Sequence, residues 1–142
     1  VWLGEDLGTQ IAPMISLELY RSQIKPIHKS FVDLAGSYNL PVIIHTCGSS
    51  SWVYEDFIEM GVRGVDTLQP EAKNMSPSYL AEKFGGRLNF RGCISTAGPL
   101  AYDITLLLRT RFRTIRRWKM WSLCITRRIN TGDIDACRAV EA

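Results

Sequence analysis

Pro41-Val-Ile-Ile44 is an apolar run in which no polar residue alternates with the apolar ones. A strand with one wet face alternates with period two. A strand covered on both faces reads as continuous Val/Ile/Leu, and such strands belong to parallel sheets flanked by helices. This one segment therefore excludes most all-α and all-antiparallel arrangements. It demands crossover helices before and after it.

The surrounding hundred residues meet that demand. Val1-Trp-Leu3 reads as the end of a strand broken by Gly4. Ser16 is a suitable N-cap for a helical segment over residues 17–38, with Glu18 in its first turn. Leu19, Ile24, Ile27, Phe31 and Leu34 are its expected core face, and Pro26 should kink it. Residues 52–60 form a short amphipathic helix closed by Gly61, and residues 62–68 a further strand. Ser76-Pro77 supplies a cap and a first-turn proline for a helix over 78–84, which Gly85-Gly86 stops. Residues 88–94 make a fourth strand. Strand and helix signals thus alternate as repeated βα units, the mark of parallel α/β architecture. A doubly wound sheet and a (β/α)8 barrel both fit the periodicity.

The chemistry-bearing residues fall where such a fold binds ligands, at the carboxyl ends of the strands. They are Glu5 and Asp6, His45 and Cys47, Gln69 and Glu71, and Cys93 with Ser95. His45-Thr-Cys47-Gly48 carries the most. Positions 45 and 47 project to the same side of a strand, and imidazole with thiolate is a zinc-preferring pair. The alternative is a chance His-x-Cys whose thiol packs as a small hydrophobe. Glu5 and Asp6 are carboxylates suited to substrate or to orienting a ligand histidine, against a plain capping or solvation role. Gln69 and Glu71 are substrate contacts or polar loop residues. His28 reads as a surface residue, and Trp52 and Tyr54 as core.

The bulk properties narrow the class further. The 142 residues suffice for one domain with a core. No apolar run nears the ~18 residues of a bilayer span, and no signal peptide is visible, so no membrane partner is expected. Cys47, Cys93, Cys124 and Cys137 are too far apart for a secreted disulfide scaffold, so the expected setting is the reducing cytoplasm.

Charge is uneven: residues 1–100 hold 8 Lys/Arg against 10 Asp/Glu, a net of −2, whereas residues 101–142 hold 9 against 4, a net of +5. Arg109, Arg111, Arg113, Arg116, Arg117, Lys119, Arg127 and Arg128, interleaved with Phe112, Trp118 and Trp121, have the look of a nucleic-acid patch.

Four segments in order, Gly4-Glu-Asp-Leu-Gly-Thr-Gln10, His45-Thr-Cys-Gly48, Gly64-Val-Asp-Thr-Leu-Gln-Pro-Glu71 and Gly92-Cys-Ile-Ser-Thr96, resemble the uroporphyrinogen decarboxylase superfamily. The resemblance covers residues 1–102. It implies a (β/α)8 TIM-type barrel with only its later half present, since a whole barrel takes ~250 residues. It also implies one of two chemistries.

In the zinc-dependent methyltransferase branch, a His-x-Cys and a later Cys hold zinc, and a corrinoid protein is the partner. His45 and Cys47 match the first two ligands, and Cys93 or Cys124 the third. Zinc there would lower a thiol pKa for methyl transfer to or from a small-molecule substrate. The decarboxylase branch of porphyrin biosynthesis needs no cofactor and acts on a tetrapyrrole, with Asp6 or Glu71 near the substrate. Cys47 favours the first branch. An inactive remnant is a third reading, and an isolated half barrel is expected to be poorly stable and inactive, with exposed sheet edges.

The family pattern breaks at Asp103. The Arg/Trp-rich stretch that follows, residues 103–128 of a divergent basic tail (residues 103–142), is read as a frameshifted or degraded segment in preference to a nucleic-acid site. Resequencing that finds an intact reading frame would sink this.

Overall fold

Ser16 starts the first long helical stretch. Its backbone stays extended (φ −71°, ψ 153°), and its hydroxyl accepts the Leu19 N–H at 3.1 Å. In this computed structural model, which describes residues 1–92 and the strand Arg127–Arg128, the stretch comprises α1 (Leu17–Leu19), a π-helical turn (Tyr20–Ile24) and α2 (Lys25–Ser37). The expected kink is therefore a widened turn directly before Pro26, which stands in the first turn of α2. Proline has no N–H to give and crowds the carbonyl one turn back, and a π turn relieves both.

The buried face of this stretch differs from the expected one. Leu19, Ile27, Phe31 and Leu34 are exposed, and of the expected set only Ile24 packs against the core. Tyr20, His28, Val32 and Ala35 face inward instead. Apolar residues occupy two adjacent faces here, so periodicity alone cannot choose between them. The sheet takes the face with the imidazole, which lies between the Glu5 carboxylate and the Tyr20 hydroxyl. His28 is thus buried, contrary to its reading as a surface residue.

After α2 come β2 (Ile43–His45), a 3-10 turn (Ser51–Val53), α3 (Tyr54–Met60), β3 (Gly64–Leu68), α4 (Pro77–Phe84) and β4 (Asn89–Gly92). β1 (Trp2–Gly4) begins the chain, and β5 (Arg127–Arg128) pairs antiparallel with β4. β1 to β4 are parallel and lie side by side in chain order. The expected α/β class is therefore present as a four-stranded parallel sheet.

The remaining end signals behave as their chemistry predicts. Gly61 closes α3 at φ 97°, and Ser76 caps α4 through the Tyr79 N–H at 3.3 Å.

The core lies between sheet and helices. Ile44, Tyr54, Phe57 and Leu80 are fully enclosed, with Val65 and Phe90 from the strands beside them. Tyr54 stacks on Phe57 (5.9 Å between centroids) and meets Phe84 edge-on (5.3 Å). Trp52 packs against this cluster, as expected. Among the described residues no helix is long and apolar enough to cross a membrane.

Candidate metal centre

Strand register builds the site. Gly4 lies opposite His45, and His45 opposite Asp66, so the last residues of β1 and β2 stand in one row with Asp66 of β3. Beyond that row the loops after β1 and β2 interlock backbone to backbone. The Ser49 N–H donates to the Thr9 carbonyl at 2.7 Å, and the buried Leu7 N–H donates to Thr46 Oγ1 at 3.1 Å. Glycine is required on both sides of the crossing. A Cβ on Gly48 (φ 70°) would stand 2.2 Å from the Gly8 carbonyl oxygen, and one on Gly8 2.6 Å from the Ser49 backbone.

This crossing holds Asp6, His45 and Cys47 together. Asp6 Oδ1 accepts the Cys47 backbone N–H at 2.8 Å. His45 Nε2 lies 3.6 Å from Cys47 Sγ and 3.7 Å from Asp6 Oδ1. The three donor atoms all fall within 4.8 Å of one another. One carboxylate, one imidazole nitrogen and one thiol converging at this spacing form a group that could hold a metal ion.

The imidazole is held from behind. Its Nδ1 lies 3.0 Å from Asp66 Oδ1 and 2.7 Å from Thr67 Oγ1. Asp66 is almost wholly buried, accepts the Trp2 indole N–H at 2.9 Å, and has Arg91 Nη1 3.5 Å away. The Trp2 ring lies across the imidazole, 5.3 Å between centroids. A buried carboxylate at Nδ1 keeps the proton there, which leaves the Nε2 lone pair facing Asp6 and Cys47. Thr67 takes a left-handed φ of 59° at an irregularity in β3. For a β-branched residue that is strained backbone, of the kind that clusters at functional sites.

Electrostatics argue against a free cysteine nucleophile. Burial, reinforced by the charges of Asp6 and Asp66, pushes the Cys47 thiol up to about 11. At neutral pH it is protonated, whereas catalytic thiols are depressed by nearby positive charge. The surroundings of Cys47 are negative and suit a cation.

The structure brings Asp6, His45 and Cys47 together and sends the other candidates elsewhere. Glu5 turns away to His28, whose Nδ1 lies 3.0 Å from the Tyr20 hydroxyl oxygen. Burial, with the charges of Asp56 and Glu5, keeps that hydroxyl protonated well beyond its usual range. Gln69 Oε1 accepts the Gly48 N–H (3.0 Å) and the Gln10 side-chain N–H (2.7 Å), so Gln69 clamps the two loops. Glu71 is exposed on the next turn and outside the donor group. Cys93, Ser95, Cys124 and the basic stretch lie outside the described residues.

Asp66, Thr67 and Trp2 were missed by sequence reasoning. The available signal was Asp66 itself, a charged residue next to Val65 in the middle of a strand, where charge is tolerated only with partners. Comparison with protein-family models, with curated proteins and with solved structures finds no match for the chain.

Proposed function

We propose that this chain is part of a (β/α)8-barrel enzyme of the uroporphyrinogen decarboxylase superfamily, and that it works as a zinc-dependent methyltransferase served by a corrinoid protein. The observation that carries this reading is the convergence of Asp6, His45 Nε2 and Cys47 Sγ within 4.8 Å, backed by Asp66. Strand order supports the barrel. Four parallel strands follow one another without reversal, whereas a doubly wound sheet reverses at its switch point. The donors also stand at the carboxyl ends of the strands, where barrels place their chemistry.

His45 and Cys47 would hold the metal with Cys93 or Cys124 as the third ligand, and Asp6 beside them would yield its place to a substrate thiol. Zinc at such a site supplies Lewis acidity that turns a thiol into a thiolate acceptor at neutral pH. The chain's own residues do the positioning. Asp66 fixes the His45 tautomer, and Asp6 ties the Cys47 backbone to the first loop. Trp2 and the loop crossing keep all three donors preorganised, which lowers the cost of gathering charged ligands.

The test is zinc stoichiometry on the purified chain and on Cys47→Ser, Cys93→Ser, Cys124→Ser and Asp6→Asn. The expected result is near one zinc per chain, lost with Cys47→Ser and with one of the other two cysteine variants. A folded protein that binds no zinc would overturn the methyltransferase reading in favour of the cofactor-free decarboxylase or an inactive remnant.

A further inference from the structure

Asp66 and Thr67 are neighbours in β3, and neighbours in a strand point to opposite faces. Both nevertheless reach one atom. His45 Nδ1 lies 3.0 Å from Asp66 Oδ1 and 2.7 Å from Thr67 Oγ1. The backbone supplies the reason. Val65 lies opposite Phe90 and Leu68 opposite Gly92, so β3 advances three residues where β4 advances two. One extra residue in one strand is a bulge, which bends that strand and re-aims a side chain. Thr67 absorbs the bend at φ 59°. Burial records the same break: Gly64, Val65, Asp66 and Leu68 are enclosed, and Thr67 alone of β3 is exposed. Gly92 (φ 115°) makes room across the strand gap. A Cβ there would stand 2.6 Å from the Leu68 nitrogen and 3.2 Å from the Thr67 carbonyl carbon.

We propose that Thr67 is a positioning residue, and that the bulge carries its hydroxyl to His45 in order to fix the plane of the imidazole ring. The consequence for metal binding rests on the proposed metal centre, whereas the hold on the ring does not. Two contacts on one ring nitrogen divide the work. A carboxylate alone keeps the proton at Nδ1 but leaves the ring to turn about its bond to Cβ, a soft torsion in histidine. The Thr67 oxygen meets the same nitrogen and lies 3.4 Å from the same Asp66 oxygen, which closes a triangle around Nδ1. Trp2 lies against the ring at 5.3 Å between centroids. A ring held in this way aims Nε2 at one point, 3.6 Å from Cys47 Sγ, and ligand imidazoles are oriented by outer partners of this kind. The residue type fits the role. A left-handed backbone is unfavourable for a β-branched side chain, and glycine would take it freely. Threonine accepts the strain and offers what glycine lacks, a hydroxyl on Nδ1.

The experiment is NMR relaxation of the histidine rings in the whole, metal-free chain, with zinc affinity and the urea midpoint measured beside it. The chain has two histidines, so His28, which lies between Glu5 and Tyr20, is an internal reference. Both rings should be rigid in the wild type. Thr67→Val keeps the branched shape and the strain but removes the hydroxyl. In that variant the His45 ring should gain motion while His28 stays rigid, and the zinc Kd should rise ~10-fold. Thr67→Ser should restore both. Thr67→Gly removes the strain together with the hydroxyl, so it should loosen the ring with no loss in urea midpoint. A His45 ring as rigid in Thr67→Val as in the wild type would overturn the proposal. So would a loosened ring that leaves zinc affinity unchanged, or a Thr67→Gly midpoint that falls together with ring order, the mark of an ordinary structural residue. A wild type that binds no zinc but shows the ring response would remove the metal reading and leave the hold on His45 standing.

Discussion

At the scale of single residues, the site depends on how one imidazole is held. His45 and Cys47 were readable from the sequence because strand alternation sends positions two apart to the same side. Asp66 was not, because its partnership with His45 runs between strands and depends on a register that the sequence does not display. It is nevertheless the residue whose replacement should speak most clearly. Asp66→Asn keeps the shape and the Trp2 contact but no longer holds the proton at Nδ1, so zinc affinity should fall 10–100-fold. Competition against a chromophoric chelator measures this, and unchanged affinity would show that Asp66 does not orient the ligand. Glu5 gives the opposite lesson. Its neighbour Asp6 joins the donors while Glu5 anchors the same loop to His28 in the core. Adjacent carboxylates leaving a strand end point to different sides, and sequence alone does not assign which one faces the ligand.

At the scale of elements, ends were legible and faces were not. Ser16, Gly61 and Ser76-Pro77 stop or start helices by local chemistry that needs no tertiary information. The inward face of α2 was misread because choosing it requires knowing that His28 lies between Glu5 and Tyr20. The contact between α2 and α3 is partly electrostatic and carries a pH prediction. Burial alone would raise the Asp56 carboxyl, but hydrogen bonds from Arg21 and Lys25 outweigh that and hold it below its ordinary value. A depressed carboxyl contributes stability that is complete above the unfolded-state pKa, about 4, and is lost as pH falls through the folded-state value. The urea midpoint of the wild type should therefore drop on acidification below pH ~4, and Asp56→Asn should flatten that slope. Asp56→Ala should cost ~1–3 kcal/mol at neutral pH, because Lys25 and Arg21 lose a buried acceptor but can still reach water. Equal slopes for wild type and Asp56→Asn would assign the acid sensitivity to other groups.

At the scale of the whole molecule, parallel α/β character was legible from one unalternating strand, but strand order was not. Periodicity is the same in a doubly wound sheet and in a barrel, and the uninterrupted order β1 to β4 appears only in three dimensions. Metal binding should act at this scale as well, since the three donors come from the ends of two strands that the unfolded chain does not hold together. A ligand that binds only the folded state adds RT ln(1 + [L]/Kd), about 2.7 kcal/mol at a hundredfold excess over Kd. Thermal unfolding should therefore shift upward with zinc in the wild type and stay put in Cys47→Ser. An equal shift in both would locate the binding elsewhere on the chain.

The crossing of Gly8 over Gly48 has a consequence for descent and for engineering. Each loop fills the space that a side chain on the other would need, so neither can be lengthened, swapped or transplanted alone. A lineage that alters one must alter the other in step, and a designer moving this chemistry to a new scaffold must carry both loops with their two strands. The smallest heritable unit of the site is that pair, not the His-x-Cys triplet that first draws the eye.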